Sequence, residues 1–362
     1  MRVALDEQIF AIQAYGGISR LFYEKARAFE SDSSFGVSID PLRAPIVNEY
    51  LLGDPDLAAR LQVTRSGGPY RALAHYFTRR RRTDAVDVVH NTFYLPRGLS
   101  EHADSRRVVT VYDMIPELLP KTRRRLDFLT EKHAYVQKAH HIICISESTK
   151  RDLLRVYPEI HAPVTIAYPG VGPSFHAAVE RVEGFPEPYI LHVGNRSSYK
   201  DGATLLRAFA RIAGHFRDHT LFLVGGGPLT PEETAFISSH DLGSRIVQRS
   251  FGDGEVPAAY RQAEVTVFPS RYEGFGLPAV EAMACGSPLV LTDTSSLPEV
   301  GGEAARYFAP GDDAALAGIL TEVLRDPSQQ QQLRVAGFDQ AAKFTWNGYA
   351  MANAEAYRAA AR

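Results

Sequence analysis

The stretch VTVFPSRYEGFGLPAVEAMACGSPLVL, Val265 to Leu291, reads as strand, loop, helix and second strand in that order. Val265–Phe268 is a short β-branched, apolar run, PSRYEGFG is rich in turn residues, and Pro278 is tolerated as the first residue of a helix that Gly286 can end near Ala284. Pro288 to Leu291 opens the next apolar run. A strand that returns through a helix to another buried strand is the building block of a parallel sheet. The same stretch sets out two carboxylates, Glu273 in the loop and Glu281 in the first turns of the helix, where side chains lean back toward the N-terminus. Both are expected to face the mouth of the sheet.

Working outward, the alternation continues along all 362 residues. The first half carries apolar runs at Arg2–Leu5, Val86–His90, Val108–Val111, Ile142–Ser146 and Val164–Ala167, with amphipathic segments at Ile18–Phe29 and Arg124–Lys138. The second half repeats the pattern at Tyr189–Val193, Leu221–Val224, Ile246–Gln248, Val265–Phe268 and Pro288–Leu291. Such a series predicts an α/β protein of two Rossmann-like, doubly wound parallel-sheet domains. The Pro- and Gly-rich segment 167–190 reads as the linker, so the domains are expected at 1–172 and 173–345, with an alanine-rich helix at 346–362 folding back on the first.

Forty basic against 42 acidic residues leave a charge of −2, which gives no global pull toward nucleic acid or membrane. Cys144 and Cys285 lie in apolar runs far apart, consistent with buried thiols in a reducing compartment rather than a disulfide. The segment MRVALDEQIF lacks a signal-peptide pattern, and no apolar run is long enough to span a bilayer, so a cytoplasmic protein is expected.

Ligands of doubly wound sheets bind outside the carboxyl ends of the strands, so the residues after each strand matter most. Gly274 and Gly276 allow close backbone approach, and the amides around Phe275, Leu277 and Ala279 form a helix N-terminus that favours anions. An ionised carboxylate accepts hydrogen bonds and cannot grip a phosphate, so Glu273 and Glu281 suit hydroxyls. An anion flanked by two sets of hydroxyls describes a nucleotide sugar. A lone Glu at either place would more often be a solvated or capping residue, and no histidine or third acid stands near in sequence to suggest a metal. In LHVGNRSSYKDGATLLRAFA (191–210), Arg196 and Lys200 fall between a strand and a helix and can offset charge developing on a diphosphate leaving group. The glycines of VGGGPLTPEE (224–233) do not follow the G-x-G-x-x-G spacing of a dinucleotide site.

The spacing of Glu273 and Glu281 in EGFGLPAVE, followed by AMACGSPLV and SSLPEVGGEAARYFAPGD, resembles the retaining glycosyltransferases of family 4 along nearly the whole chain. The resemblance implies the GT-B fold, two Rossmann-like domains facing a cleft. It implies a donor that is a GDP- or UDP-sugar, with mannose or a similar hexose, and a saccharide or polyprenyl-linked acceptor in bacterial surface polysaccharide synthesis. It implies neither a cofactor nor a metal, and no nucleic acid. By the same resemblance Gly16 and Gly17 of AYGGISRLF abut the donor phosphates, His90 of VVHNTFYLP stands near the transferred sugar, and Phe251 and Asp253 cradle the base. Asp113 is an acceptor-side candidate. A tight turn would equally explain the glycine pair, and a lone histidine is as readily structural. The basic runs Arg79–Arg82 and Arg123–Arg125, with Tyr76 and Phe77 beside the first, would suit peripheral contact with the inner face of a plasma membrane, or merely a solvated surface. A GT-B epimerase acting on nucleotide sugars, or a non-catalytic subunit that binds them, are the alternatives.

Overall fold

The computed structural model describes the chain except Arg81, Asp84, residues 120–128 and Asp253, together with the side chains of residues 129 and 130. It divides into two units, Met1–Gly170 with Thr345–Arg362, and Val171–Phe344.

The first unit contains β1 (Arg2–Leu5), β2 (Ser38–Ile39), a small parallel pair β3 (Pro45–Ile46) and β4 (Thr64–Arg65), then β5 (Val88–Asn91), β6 (Arg106–Val111), β7 (His141–Cys144) and β8 (Val164–Ile166). Its main sheet runs β2-β1-β5-β6-β7-β8, every neighbour parallel. The second unit contains β9 (Tyr189–Val193), β10 (Thr220–Val224), β11 (Ile246–Arg249), β12 (Val265–Phe268), β13 (Leu289–Thr292) and β14 (Ala305–Phe308) in the order β11-β10-β9-β12-β13-β14, again all parallel. In each sheet the chain winds outward one way, returns to the middle and winds out the other way. The reversal lies between β1 and β5 in one unit and between β9 and β12 in the other.

Strands covered on both faces read as unbroken apolar runs because no face meets water. Val88, Val89, Val108, Val109, Ile142 and Ile143 are fully buried, as are Ile190, Leu221, Val265, Val267 and Val290. The strands that periodicity missed are edges: β2 is two residues long, and β14 (ARYF) carries Arg306 and Tyr307 only partly covered.

Five helices carry the argument below: α1 (Gly17–Ser31), α2 (Gly202–Ile212), α3 (Pro231–Ser239), α4 (Leu277–Ala284) and α5 (Trp346–Ala361). The last begins where the Thr345 hydroxyl accepts the Gly348 amide, and it belongs to the first unit. Its Tyr349, Asn353 and Tyr357 are completely buried there. Asn353 accepts from Lys25 of α1 at 3.2 Å, and the Tyr357 hydroxyl lies 2.7 Å from His90 Nδ1. Cys144 and Cys285 are free, buried thiols in different units.

Candidate functional site

The switch point of the second unit opens into a pocket. His192, Val193, Gly194 and Asn195 line it from the end of β9, Phe268 from the end of β12, Ser270 and Glu273 from the loop after it, and Gly276, Pro278 and Ala279 from the start of α4. Lys200 and Leu297 complete the wall.

Local sequence explains each placement. After β9 the chain passes a single helical turn, Ser198–Lys200, and enters α2 through Asp201 in the left-handed region, φ 48°. This turn brings Lys200 back over the strand ends, and its Nζ donates to both oxygens of Glu273 at 2.7 and 2.9 Å. The loop that carries Glu273 is fixed from the neighbouring connection: the Glu273 amide donates to Ser295 Oγ at 2.8 Å, and Ser296 Oγ donates to the carbonyls of Glu273 and Phe275. Gly276 then turns the chain into α4 at φ 107°, with Leu297 Cδ2 only 3.1 Å from where a Cβ would stand. The positive φ favours glycine there, and a Cβ would press on the end of the Leu297 side chain.

No side chain caps α4. Its start therefore turns the positive end of the helix dipole toward the pocket, although Pro278 has no N–H and the Ala279 and Val280 amides bond the Gly276 carbonyl. Ser270 adds a hydroxyl that is 1% exposed and, among the described residues, has no hydrogen-bond partner. A buried hydroxyl left unpaired carries a desolvation cost that a ligand can relieve. His192 forms part of the floor, its ring nitrogens 3.0 Å from the Val267 carbonyl and 3.2 Å from that of Asn195. Burial pushes its pKa below the ordinary histidine value, so the ring is neutral near pH 7 and donates to one of the two. The pocket thus offers an ammonium, a carboxylate, a hydroxyl and a helix N-terminus within one wall.

Several expectations from sequence are corrected or relocated. Arg196 is not a free cation: its side chain is 3% exposed, and its donors are spent on Glu233 and on the carbonyls of Gly225, Gly227 and Pro228. Glu281 does not line the pocket. It lies farther along α4, partly buried, and its charge helps raise the pKa of Tyr260 and Cys285, where burial is the larger cause. Phe251 stacks on Phe185 at 5.4 Å, outside the pocket wall, and Asp253 lies outside the described residues. Gly274 and Phe275 belong to the loop before α4, and Leu277 is its first residue.

His90 is also corrected. It lies within β5, completely buried, with Nε2 2.8 Å from Thr110 Oγ1 and Nδ1 in contact with Lys25 and Tyr357. Burial, and secondarily the Lys25 charge, drive its pKa well below the usual histidine value. Its side chain is packed entirely within the first unit. Gly16 caps α1, which begins at Gly17. Asp113 lies just before a short helix, Ile115–Leu118, and accepts the Ile115 amide at 3.0 Å. In the basic run at Arg79, Arg79 pairs with Glu7 and Glu101 and Arg82 with Asp40, while Arg80 is exposed; beside the run, Tyr76 is buried and Phe77 exposed. Arg123–Arg125 lie outside the described residues.

Sequence reading overlooked His192, Asn195, Ser270, Ser295 and Glu233. The signals were faint, a polar residue inside an apolar strand for His192 and a small hydroxyl inside the quoted loop for Ser270.

The pattern of the family described as Glycosyltransferase Family 4 matches residues 15–175, and that of Glycosyl transferases group 1 matches residues 179–340. The MMP alpha-(1->4)-mannosyltransferase of Mycolicibacterium hassiacum is 30% identical over 347 residues, 89% of this chain and 82% of that one. The O-antigen chain mannosyltransferase B of Escherichia coli is 27% identical over 302 residues, 76% of this chain and 75% of that one. Among solved structures, Anabaena HepE in complex with UDP and glucose superposes with a TM-score of 0.70 at 16% identity, covering 98% of both chains. No described helix is long and apolar enough to cross a membrane. With one family pattern on each unit and a relative matched across most of both lengths, the chain belongs to the GT-B glycosyltransferases of family 4, enzymes that handle nucleotide sugars.

Proposed function

We propose that this protein moves a hexose, mannose being the first to test, from a nucleoside diphosphate sugar to a saccharide or polyprenyl-linked acceptor during bacterial surface polysaccharide synthesis. The observation that carries this reading is the pairing of Lys200 with Glu273 beside the start of α4 and the Ser270 hydroxyl, which has no partner among the described residues. A diphosphate placed at the helix start draws Lys200 Nζ, and Glu273 is then released to accept hydroxyls of the sugar. Glu281 and Phe251, both outside the pocket wall, are the candidates in the second unit for the ribose and the base. The first unit takes the acceptor, with Asp113 beside it. Mannose is favoured by the names of the two relatives, both mannosyltransferases.

In the reaction, the bond from the sugar C1 to the diphosphate oxygen breaks, and the acceptor oxygen bonds to C1 on the same face. The acceptor proton passes to the departing phosphate oxygen, giving a glycoside and a nucleoside diphosphate with configuration retained. Lys200 and the helix dipole stabilise the charge that grows on the leaving group.

Thermal shift against UDP-, GDP- and dTDP-sugars identifies the donor by mass action, since a tight ligand raises the melting temperature. Release of nucleoside diphosphate is then measured with and without candidate acceptors. Acceptor-dependent release supports transfer. An epimerised donor, or saturable binding with no turnover, overturns it.

A further inference from the structure

Arg196 stands next to the pocket in sequence and behind its wall in space. Its Nε and Nη2 donate to the two oxygens of Glu233 at 2.9 and 3.3 Å, Nη1 donates to the Gly225 carbonyl at 2.9 Å, and Nη2 to those of Gly227 and Pro228 at 3.1 and 3.0 Å. Glu233 is itself the third residue of α3, and its carboxylate accepts the Thr230 amide at 2.8 Å while its own amide donates to the Thr230 hydroxyl. One ion pair therefore ties the β9 loop to the β10 turn and to the start of α3.

What it holds is a turn that only glycines adopt readily. Gly225, Gly226 and Gly227 follow one another at φ 77°, 70° and 75°, all in the left-handed region. The turn packs on the pocket wall without slack: a Cβ on Gly226 would stand 2.5 Å from the Gly194 carbonyl and 3.2 Å from Asn195 Cα. Gly194 and Asn195 both line the pocket. Glycines lose more conformational freedom on ordering than any other residue, so three in succession need an external clamp.

We infer that Arg196 is a positioning residue: with Glu233 it clamps the Gly225–Pro228 turn against Gly194 and Asn195 and so shapes the wall of the donor pocket, leaving the leaving-group charge to Lys200. This rests on the donor-site reading above. The guanidinium is suited to the task because it spreads five donors in a rigid plane, which a lysine cannot reproduce.

The test compares Arg196→Ala, Arg196→Lys, Glu233→Ala and the double alanine variant, with UDP and GDP as probes and with steady-state kinetics on whichever donor the wild type uses. A clamp predicts that Arg196→Ala and Glu233→Ala raise the nucleotide Kd and donor KM by a similar factor, on the order of tenfold, with the double variant no worse than either single one. It also predicts that Arg196→Lys fails to rescue. A direct phosphate contact predicts the reverse: Arg196→Ala costs tenfold or more beyond Glu233→Ala, mainly in kcat, and Arg196→Lys restores part of it. That result overturns the inference. Hydrogen exchange of amides 225–234, read without ligand, separates this from the functional reading. If wild type binds neither nucleotide, the functional reading fails, but faster exchange in both Arg196→Lys and Glu233→Gln still supports the clamp, and unchanged exchange in both overturns it.

Discussion

The two units are built alike and finished differently. Each is a parallel sheet whose winding reverses at its centre, and at such a reversal the connections part and leave a crevice outside the strand ends. In the first unit that crevice is plugged. Asp6, just past β1, accepts from the Thr92 amide and hydroxyl at 2.9 and 2.5 Å and from Asn91 Nδ2 at 2.6 Å, and Gln8 adds a further bond. In the second unit the equivalent places hold Gly194 and Ser270, one without a side chain and the other with a hydroxyl that has no partner among the described residues. The same topology thus yields a satisfied core or a binding pocket according to whether the strand ends carry groups that complete one another. An incomplete polar group that also lines a pocket, as Ser270 does, offers a ligand a bond.

The comparison is sharpest if the two switch points are broken separately. Asp6→Ala strands the donors of Thr92, Asn91 and Gln8 in the core, and a loss of about 3 kcal/mol or more is expected in denaturant unfolding. Nucleotide affinity of the second unit should stay at the wild-type value, and a parallel loss of affinity would deny the division of labour. Glu273→Ala should do the converse, lowering turnover by about 100-fold or more with little change in unfolding, because it removes a group that acts on the reacting sugar. Full activity in that folded variant would sink the donor-site assignment.

A third break uses pH. His90 and His192 are both buried and held below their unfolded pKa. A base whose folded pKa is lowered contributes stability that is complete above about pH 6.5 and is lost as pH falls, by up to about 1.4 kcal/mol per pH unit for each ring. Melting temperature should therefore drop from pH 7.5 to pH 5, and His90→Gln should flatten the slope of the first unit's transition. An unchanged slope would show that His90 is not buried neutral. The smallest expected effect belongs to Ser270→Ala: nucleotide affinity falls about three- to tenfold while stability is unchanged or rises by about 1 kcal/mol, since the substitution removes an unpaired buried hydroxyl. Marked destabilisation would mean that the hydroxyl is satisfied within the protein.

Much of this architecture was legible in residue order alone. Continuous apolar strands such as VDVVH and YILHV, spaced by amphipathic helices, lead to parallel sheets, because only strands covered on both faces can dispense with alternation. The turn into α4 was legible too, since Gly276 and Pro278 are residues whose backbone preferences act locally. Edge strands were not, for β14 keeps Arg306 and Tyr307 partly exposed and so shows no apolar run.

Site chemistry divided along the same line. Residue type and spacing along the chain brought forward Glu273 and Lys200, and the tertiary structure pairs them across 73 residues. Whether a cation faces a ligand or a neighbour is a long-range matter. Arg196 and Lys200 are four residues apart and both cationic, yet one turn of chain sends the first behind the wall to Glu233 and the second over the pocket to Glu273. His90 shows the same limit: a histidine at a strand end looks available until α5, from the far end of the chain, seals it with Tyr357. Local sequence determined the backbone path and the kinds of groups at each strand end, because propensities and turn preferences act over a few residues. Only the folded chain decided which of those groups satisfy one another and which stay open, because that depends on partners drawn from anywhere in the sequence.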